Sequence, residues 1–287
     1  MGGSGSGKTT LLNVLSGRLT TNSRKKIHVE MDKYTFDSKV INPGSSAVQK
    51  YIAYAEQEDK LIATATVKEA LVFSARLRLP REFTDQDIEN IALSLMEDLQ
   101  LSHRADSLIG GPRKRGISGG EKRRMSLALE LVTRPTTLFL DEITSGLDSF
   151  SASVVMELCK KLTRGSKTMG GSQVFNAYEG WDNRLPTTIL MTIHQPSSIL
   201  FEMIDDIIIL QKGRAVYQGP SGRAAMDFFE ERGYALPAQY NPAVRSILIM
   251  RSRPVIYVAC SDLTSGIISL LCRIGSLKLH KRTTLIN

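Results

Sequence analysis

Two rhythms of apolar residues run along this chain. In the first they return every three or four positions, as on a helix with one buried face. Ile88, Ile91, Ala92, Leu95, Met96 and Leu99 keep that spacing over about 85–100 and read as a core face. Leu11, Leu12, Leu15 and Leu19 are expected along one side of a helix near the start, and Met125, Ala128, Leu129 and Val132 along another. Thr66-Val67-Lys68-Glu69 has the form of a capping box, opening a helix to about Leu79 that Pro80 stops. Further helices are expected over 152–162 and near 223–231.

The second rhythm is the short apolar run of a strand. Residues 138–140 and 187–193 read as buried strands, 51–55 as a short strand, and 26–36 alternates like a half-exposed one. Residues 207–210 and 215–217, joined across Lys212-Gly213, read as a hairpin, and Asn42-Pro43-Gly44 as a turn. Residues 166–186 have no period, hold the only tryptophan, Trp181, and read as an inserted surface loop.

Chemistry gathers at the ends of these elements. The run 137–140 finishes on two carboxylates, Asp141 and Glu142, and a buried strand gains nothing in packing from charge. In a parallel α/β sheet ligands bind at the carboxyl ends of strands, where one acid can hold hydrated Mg²⁺ and the other polarise water. Gly2-Gly3-Ser4-Gly5-Ser6-Gly7-Lys8-Thr9 fits the phosphate-binding pattern of a glycine-rich loop closed by Lys-Thr before a helix. Its glycines let backbone N–H groups turn onto phosphate, and the helix dipole favours the anion. A preceding strand is that motif's usual context, and here only Met1 stands before it. Ser118-Gly119-Gly120-Glu121 opens a helix and forms a second potential anion site. His194 ends a strand as Asp141 does, so both could converge on one ligand; Gln57 alone reads as a solvated loop residue.

Composition narrows the classes. Apolar residues are 42% and charged ones 23% of 287, the balance of a globular protein. Seven Lys/Arg against one acid in 244–287 supply most of the net charge of +8, so 1–243 is near neutral and nucleic acid is not an expected partner. The basic runs 113–115 and 122–124 read as solvated faces, with anionic lipid as the sharper alternative. Cys159, Cys260 and Cys272 have no paired or metal-ligand spacing, which suits a reduced setting. The best candidate membrane span, 255–272, is broken by Asp262 and by Ser, Thr and Gly.

Taken as an ordered set, residues 2–9, Gln57, 118–121, 138–142, 145–148 and His194 resemble the Walker A, Q-loop, signature, Walker B, D-loop and H-loop of an ABC transporter ATPase domain. The phrases at 66–80, 117–124, 192–198 and 241–243 look like subfamily G, the white/pigment and sterol/drug half-transporters. The resemblance spans 2–243. It implies an α/β P-loop NTPase of RecA-like fold, with a mostly parallel sheet, a helical subdomain at about 64–130, and N-terminal strands missing from this chain.

The resemblance also implies roles. Gly2, Gly3, Ser4, Gly5, Ser6, Gly7, Lys8, Thr9 and Thr10 would cradle ATP. Thr9 and Gln57 would meet Mg²⁺, with Asp141 acting on it through water. Glu142 would be the general base, and His194 would hold the γ-phosphate and attacking water. Ser118, Gly119 and Gly120 would touch ATP held by a second ATPase domain, and Asp148 would lie at the seam. The partners implied are that second domain and a transmembrane part absent from this chain, at the cytoplasmic face of a membrane. Ile143 stands where the family has proline, which should loosen that turn; 244–287 matches no familiar pattern. A soluble ABC-type ATPase, and a catalytically impaired fragment acting at most as an interaction partner, are the alternatives.

Overall fold

The computed structural model describes residues 1–21, 29, 34–36, 39, 40, 42–58, 60–111, 114–164, 186–194 and 196–232. Most of the alternating stretch 26–36, almost all of the inserted loop and the whole of 241–287 lie outside the described residues. In chain order the first elements are α1 (Lys8–Leu15), β1 (Thr35–Phe36), β2 (Lys39–Val40), α2 (Ser46–Gln49) and β3 (Ile52–Ala55). Then come α3 (Val67–Arg78), α4 (Asp85–Asp98), α5 (Gly119–Leu131), β4 (Thr137–Asp141) and α6 (Ser149–Thr163). The series ends with β5 (Thr188–Thr192), α7 (Ser198–Glu202), β6 (Asp206–Gln211), β7 (Arg214–Pro220) and α8 (Arg223–Glu230). They fall into two compact units, Lys50–Met191 and Met1–Gln49 with Thr192–Asn287.

The unit Lys50–Met191 is built on a three-stranded sheet of order β3-β4-β5. β3 and β4 run parallel, Ile52 facing Thr137 and Ala55 facing Leu140. All five residues of central β4 are buried, which explains why it reads as an unbroken apolar run. Tyr54 and Phe139 stack across the pair with ring centres 6.3 Å apart.

Helices α3, α4 and α5 close one core with this sheet. Leu71, Leu95, Leu99, Met125, Leu138 and Leu140 all belong to it. The whole apolar face expected on 85–100 is buried. The capping box at α3 forms as its sequence requires: Thr66 accepts from the Glu69 N–H, and Glu69 accepts from the Thr66 N–H. The next N–H groups, of Val67 and Lys68, donate to the carbonyls of Ser107 and Ala105 at 3.1 and 3.0 Å. Leu79 is extended, as a residue before proline prefers, and ends the helix.

In the other unit, α1 stops at Leu15, so Leu19, the last residue of the expected face, lies beyond the helix. The reason is Gly17, in a left-handed turn with φ +72°. A Cβ there would stand 2.3 Å from the Pro43 carbonyl oxygen, so only glycine admits the 42–44 turn so close. β6 and β7 form the expected antiparallel hairpin. Its two turn residues, Lys212 (φ +48°) and Gly213 (φ +78°), are both left-handed, the condition for a tight turn matching strand twist. Phe201, Ile207, Ile209, Tyr217, Ala225 and Phe229 form the core beneath it.

No helix among the described residues is long and apolar enough to cross a membrane.

One buried carboxyl lacks a match. Asp98 ends α4 with Oδ2 buried and unbonded, and burial pushes its carboxyl from 3.8 up to about 6. The folded state therefore holds this proton more tightly than the unfolded state. Its stability contribution is full below pH 3.8 and is lost as pH rises through about 6. Asp98→Asn is expected to raise stability at pH 7–8 by about 1 kcal/mol, allowing for the group's partial exposure, and to change little near pH 3.5. Urea unfolding at the two pH values checks this.

Candidate active site

In the unit Lys50–Met191, the parallel register sends the chains after Ala55 and Leu140 out side by side. Glu56-Gln57 therefore leaves the sheet next to Asp141-Glu142. Gln57 Nε2 donates to Glu142 Oε2 at 3.1 Å, joining two residues 85 positions apart. Asp141 is 3% exposed, and the Tyr54 hydroxyl donates to its Oδ2 at 3.5 Å. Glu142 is half-buried with φ +50°, a left-handed backbone that a non-glycine residue adopts only when its surroundings insist.

Those surroundings include a residue the sequence reading placed wrongly. Lys122-Arg123-Arg124 were expected on a solvated face, yet Arg123 is 4% and Arg124 6% exposed. Arg123 lies beneath the site. Its Nη1 donates to the carbonyls of Glu56 (2.8 Å) and Gln57 (2.6 Å). Its Nη2 donates to those of Asp141 (3.2 Å) and Glu142 (2.9 Å), and its Nε to that of Ile143 (3.2 Å). A charge run hides such a residue, because residues on one helical turn face opposite sides. The buried Ile143 is thus tied down by its carbonyl, which opposes the loosening expected from its not being proline.

Arg123 belongs to α5, whose first turn is the Ser-Gly-Gly-Glu run. Ser118 caps this helix: its Oγ accepts from the Glu121 N–H at 3.2 Å, and its own N–H donates to Glu121 Oε2 at 2.7 Å. Arg104 Nε donates to Glu121 Oε1 at 2.9 Å, and His103 Nε2 lies 3.2 Å from the same oxygen. At Gly120 a Cβ would stand 3.0 Å from Ser151 Oγ and 3.8 Å from Asp148 Oδ1, whereas Gly119 opens onto free space. Gly120 and Asp148 are therefore neighbours. Asp148 caps α6 by accepting from the Ser151 N–H, and hydrogen bonding from Ser151 lowers its carboxyl pKa.

The glycine loop lies in the other unit. Gly5 and Gly7 are left-handed, with φ +72° and +97°, and Gly7 precedes α1 directly. A Cβ at Gly2 would meet the Leu210 carbonyl oxygen at 2.4 Å and Ser6 Oγ at 2.6 Å, while Gly3 and Gly5 face open space. The Leu210 N–H donates to the Met1 carbonyl at 2.8 Å and the Gly213 N–H to that of Ser6 at 3.0 Å, fixing the loop against the hairpin. The buried Lys8 ammonium donates to the carbonyls of Gly2 (3.1 Å) and Gly3 (3.2 Å). Ser6 Oγ is buried with no partner, Ser4 and Thr9 are exposed, and Thr10 is half-buried. His194 is exposed just after β5.

The glycine loop offers an ammonium, an unbonded hydroxyl, open glycines and a helix N-terminus, all favourable to phosphate. Within the unit Lys50–Met191, Gln57 and Asp141 carry oxygen donors of the hard kind Mg²⁺ selects.

The sequence pattern of the ABC transporter family matches residues 1–145, from the glycine loop to Ser145. The chain belongs to the ABC transporter family. It is an ATP-binding domain of that family, and a second pattern, ABC-2 type transporter, matches 194–252. It is 38% identical over 245 residues to ABC transporter G family member 13 of Arabidopsis thaliana, covering 85% of this chain and 31% of that protein. It is 36% identical over 250 residues to Protein white of Ceratitis capitata, covering 85% and 32%. The chain thus spans about a third of the length of these curated relatives.

Solved ABC structures share the fold. CbiO1 of Clostridium perfringens, part of the cbiONQ transporter complex, superposes with TM-score 0.57 at 23% identity, over 82% of this chain and 79% of that one. A dimeric ATP-binding cassette in a post-hydrolysis state with ADP and Pi gives 0.55 at 21%, over 77% and 83%.

The α5 cap of this ABC domain carries a pH signature. Burial raises the Glu121 carboxyl, but the Ser118 N–H and Arg104 outweigh it and hold the carboxyl down from 4.5 to about 2. The stability this gives is full above pH 4.5 and lost as pH falls through about 2. Glu121→Gln is expected to lower stability at pH 7 by about 1–2 kcal/mol, the scale of a lost cap and charged bond. The gap to the parent should shrink as pH falls below 4, which thermal melts across pH 2–7 measure.

Proposed function

We propose that this chain binds ATP with Mg²⁺ and hydrolyses it, as the nucleotide-binding domain of a subfamily G half-transporter. It acts at the cytoplasmic face of a membrane, paired with a second ATPase domain and driving a transmembrane part outside this chain. The observation that carries this reading is the 3.1 Å bond between Gln57 and Glu142 at the ends of adjacent parallel strands. It supports assigning a magnesium contact and a water-activating carboxylate to neighbouring positions.

The roles follow from the chemistry of each group. The loop from Gly2 to Thr10 holds the phosphates through backbone N–H groups, and Lys8 turns its ammonium from the Gly2 and Gly3 carbonyls to the β- and γ-phosphates. Thr9, Gln57 and Asp141 would hold Mg²⁺, which when bound would supply positive charge to the phosphate oxygens. Glu142 takes the proton of the attacking water, and His194 holds that water and the γ-phosphate. Ser118, Gly119 and Gly120 present a helix N-terminus to ATP on the second domain, with Asp148 at the seam. The closeness of Gly120 to Asp148 and Ser151 favours a joint role for the two loops.

In the full-length protein in lipid vesicles, Glu142→Gln is expected to keep ATP affinity while lowering turnover by roughly 10²–10⁴-fold, the scale of a general base. Unchanged turnover would remove Glu142 from that role. Equilibrium binding of ATP to the 287-residue chain itself separates the impaired-fragment reading, which requires no measurable affinity.

A further inference from the structure

We infer that Arg123 is a positioning residue for hydrolysis: it sets the backbone from which Gln57 and Glu142 project and couples both to the signature helix α5. This rests on Glu142 being the general base. A guanidinium has five N–H donors in a rigid plane. Here they reach five backbone carbonyls on two segments, Glu56 and Gln57 after β3, and Asp141, Glu142 and Ile143 after β4. Bonded to both segments at once, the group acts as a geometric template.

Glu142 is where the template matters most. Its left-handed backbone is disfavoured for a residue with a Cβ, and the carbonyls of Asp141, Glu142 and Ile143 on either side of it are all held by Arg123. Without those bonds the peptide planes can rotate toward the right-handed region. The Glu142 carboxylate then swings away from Gln57 Nε2. Arg123 lies four residues beyond Gly119 on the same helix, so a ligand that draws in the N-terminus of α5 moves the template as well. Signature contact and general-base placement become one mechanical event. The glycine loop takes no part in this set, so ATP affinity and turnover should separate.

The test uses the full-length protein in lipid vesicles, with ATPase kinetics, equilibrium binding of a fluorescent ATP analogue and thermal melts. Variants are Arg123→Met, Arg123→Lys and Glu142→Gln, and Arg123→Met combined with Glu142→Gln. Arg123→Met is expected to lower kcat about 10²-fold, the scale of an ångström of misplacement, with ATP affinity within about twofold. Arg123→Lys, whose point charge reaches only some of the carbonyls, should lower kcat by about three- to tenfold from the parent. On Glu142→Gln, Arg123→Met should lower the residual turnover less than about twofold, because no general base remains to be placed. An equal loss in both backgrounds, or a kcat for Arg123→Met within twofold of the parent, overturns the proposal. If Arg123→Met shows no melting transition, Arg123→Lys decides, and an unreduced kcat overturns the proposal. Undiminished turnover in Glu142→Gln alone overturns the underlying site reading and the proposal with it.

Discussion

The parallel register of β3 on β4 is the constraint from which the acidic end of this domain follows. With Ala55 opposite Leu140, the next residues of both strands emerge together at the carboxyl edge. A slip of one residue would part Gln57 from Glu142 and turn alternate side chains to the wrong face. Several contacts oppose such a slip. The Thr137 N–H donates to the Tyr51 carbonyl at 3.1 Å, and the Tyr54 ring stacks on Phe139 while its hydroxyl reaches Asp141. Burial of all of β4 makes this register costly to disturb.

The glycine loop obeys a different constraint, close backbone approach. Gly2 stands where any side chain would strike the Leu210 carbonyl, and Gly7 supplies the left-handed residue from which α1 starts. The loop's shape is set by the β6–β7 hairpin through the Leu210 and Gly213 N–H groups. Lys8 donating to Gly2 and Gly3 keeps its buried ammonium bonded inside the loop, which lessens the reorganisation needed when phosphate offers stronger acceptors.

What could be read from the sequence was whatever local chemistry decides. The face of α4, the capping box at Thr66, the hairpin across Lys212-Gly213 and the buried strand ending in acids all depend on neighbours in sequence, and all form. The extent of α1 was misread because Gly17 answers to Pro43, a residue distant in the chain. Arg123 was misread for a related reason. Three consecutive cations look alike in sequence, while a helix sends them in different directions, and only the tertiary position of α5 decides that Arg123 and Arg124 are buried. Gln57 carried no signal alone, and its meaning came from the strand pairing that sets it beside Glu142.

A buried guanidinium bonded to backbone carbonyls fixes more than one chain segment at once. These partners spread the charge over five peptide dipoles on two segments. The rigid plane of the group then fixes the angles between them. Holding Glu142 by its backbone sets where its carboxylate projects, with Oε2 accepting from the Gln57 amide. Ile143 fits the same arrangement: where the family pattern has proline to stiffen the turn, this chain has a fully buried side chain and a carbonyl bonded to Arg123, so rigidity comes from the partner instead of the ring.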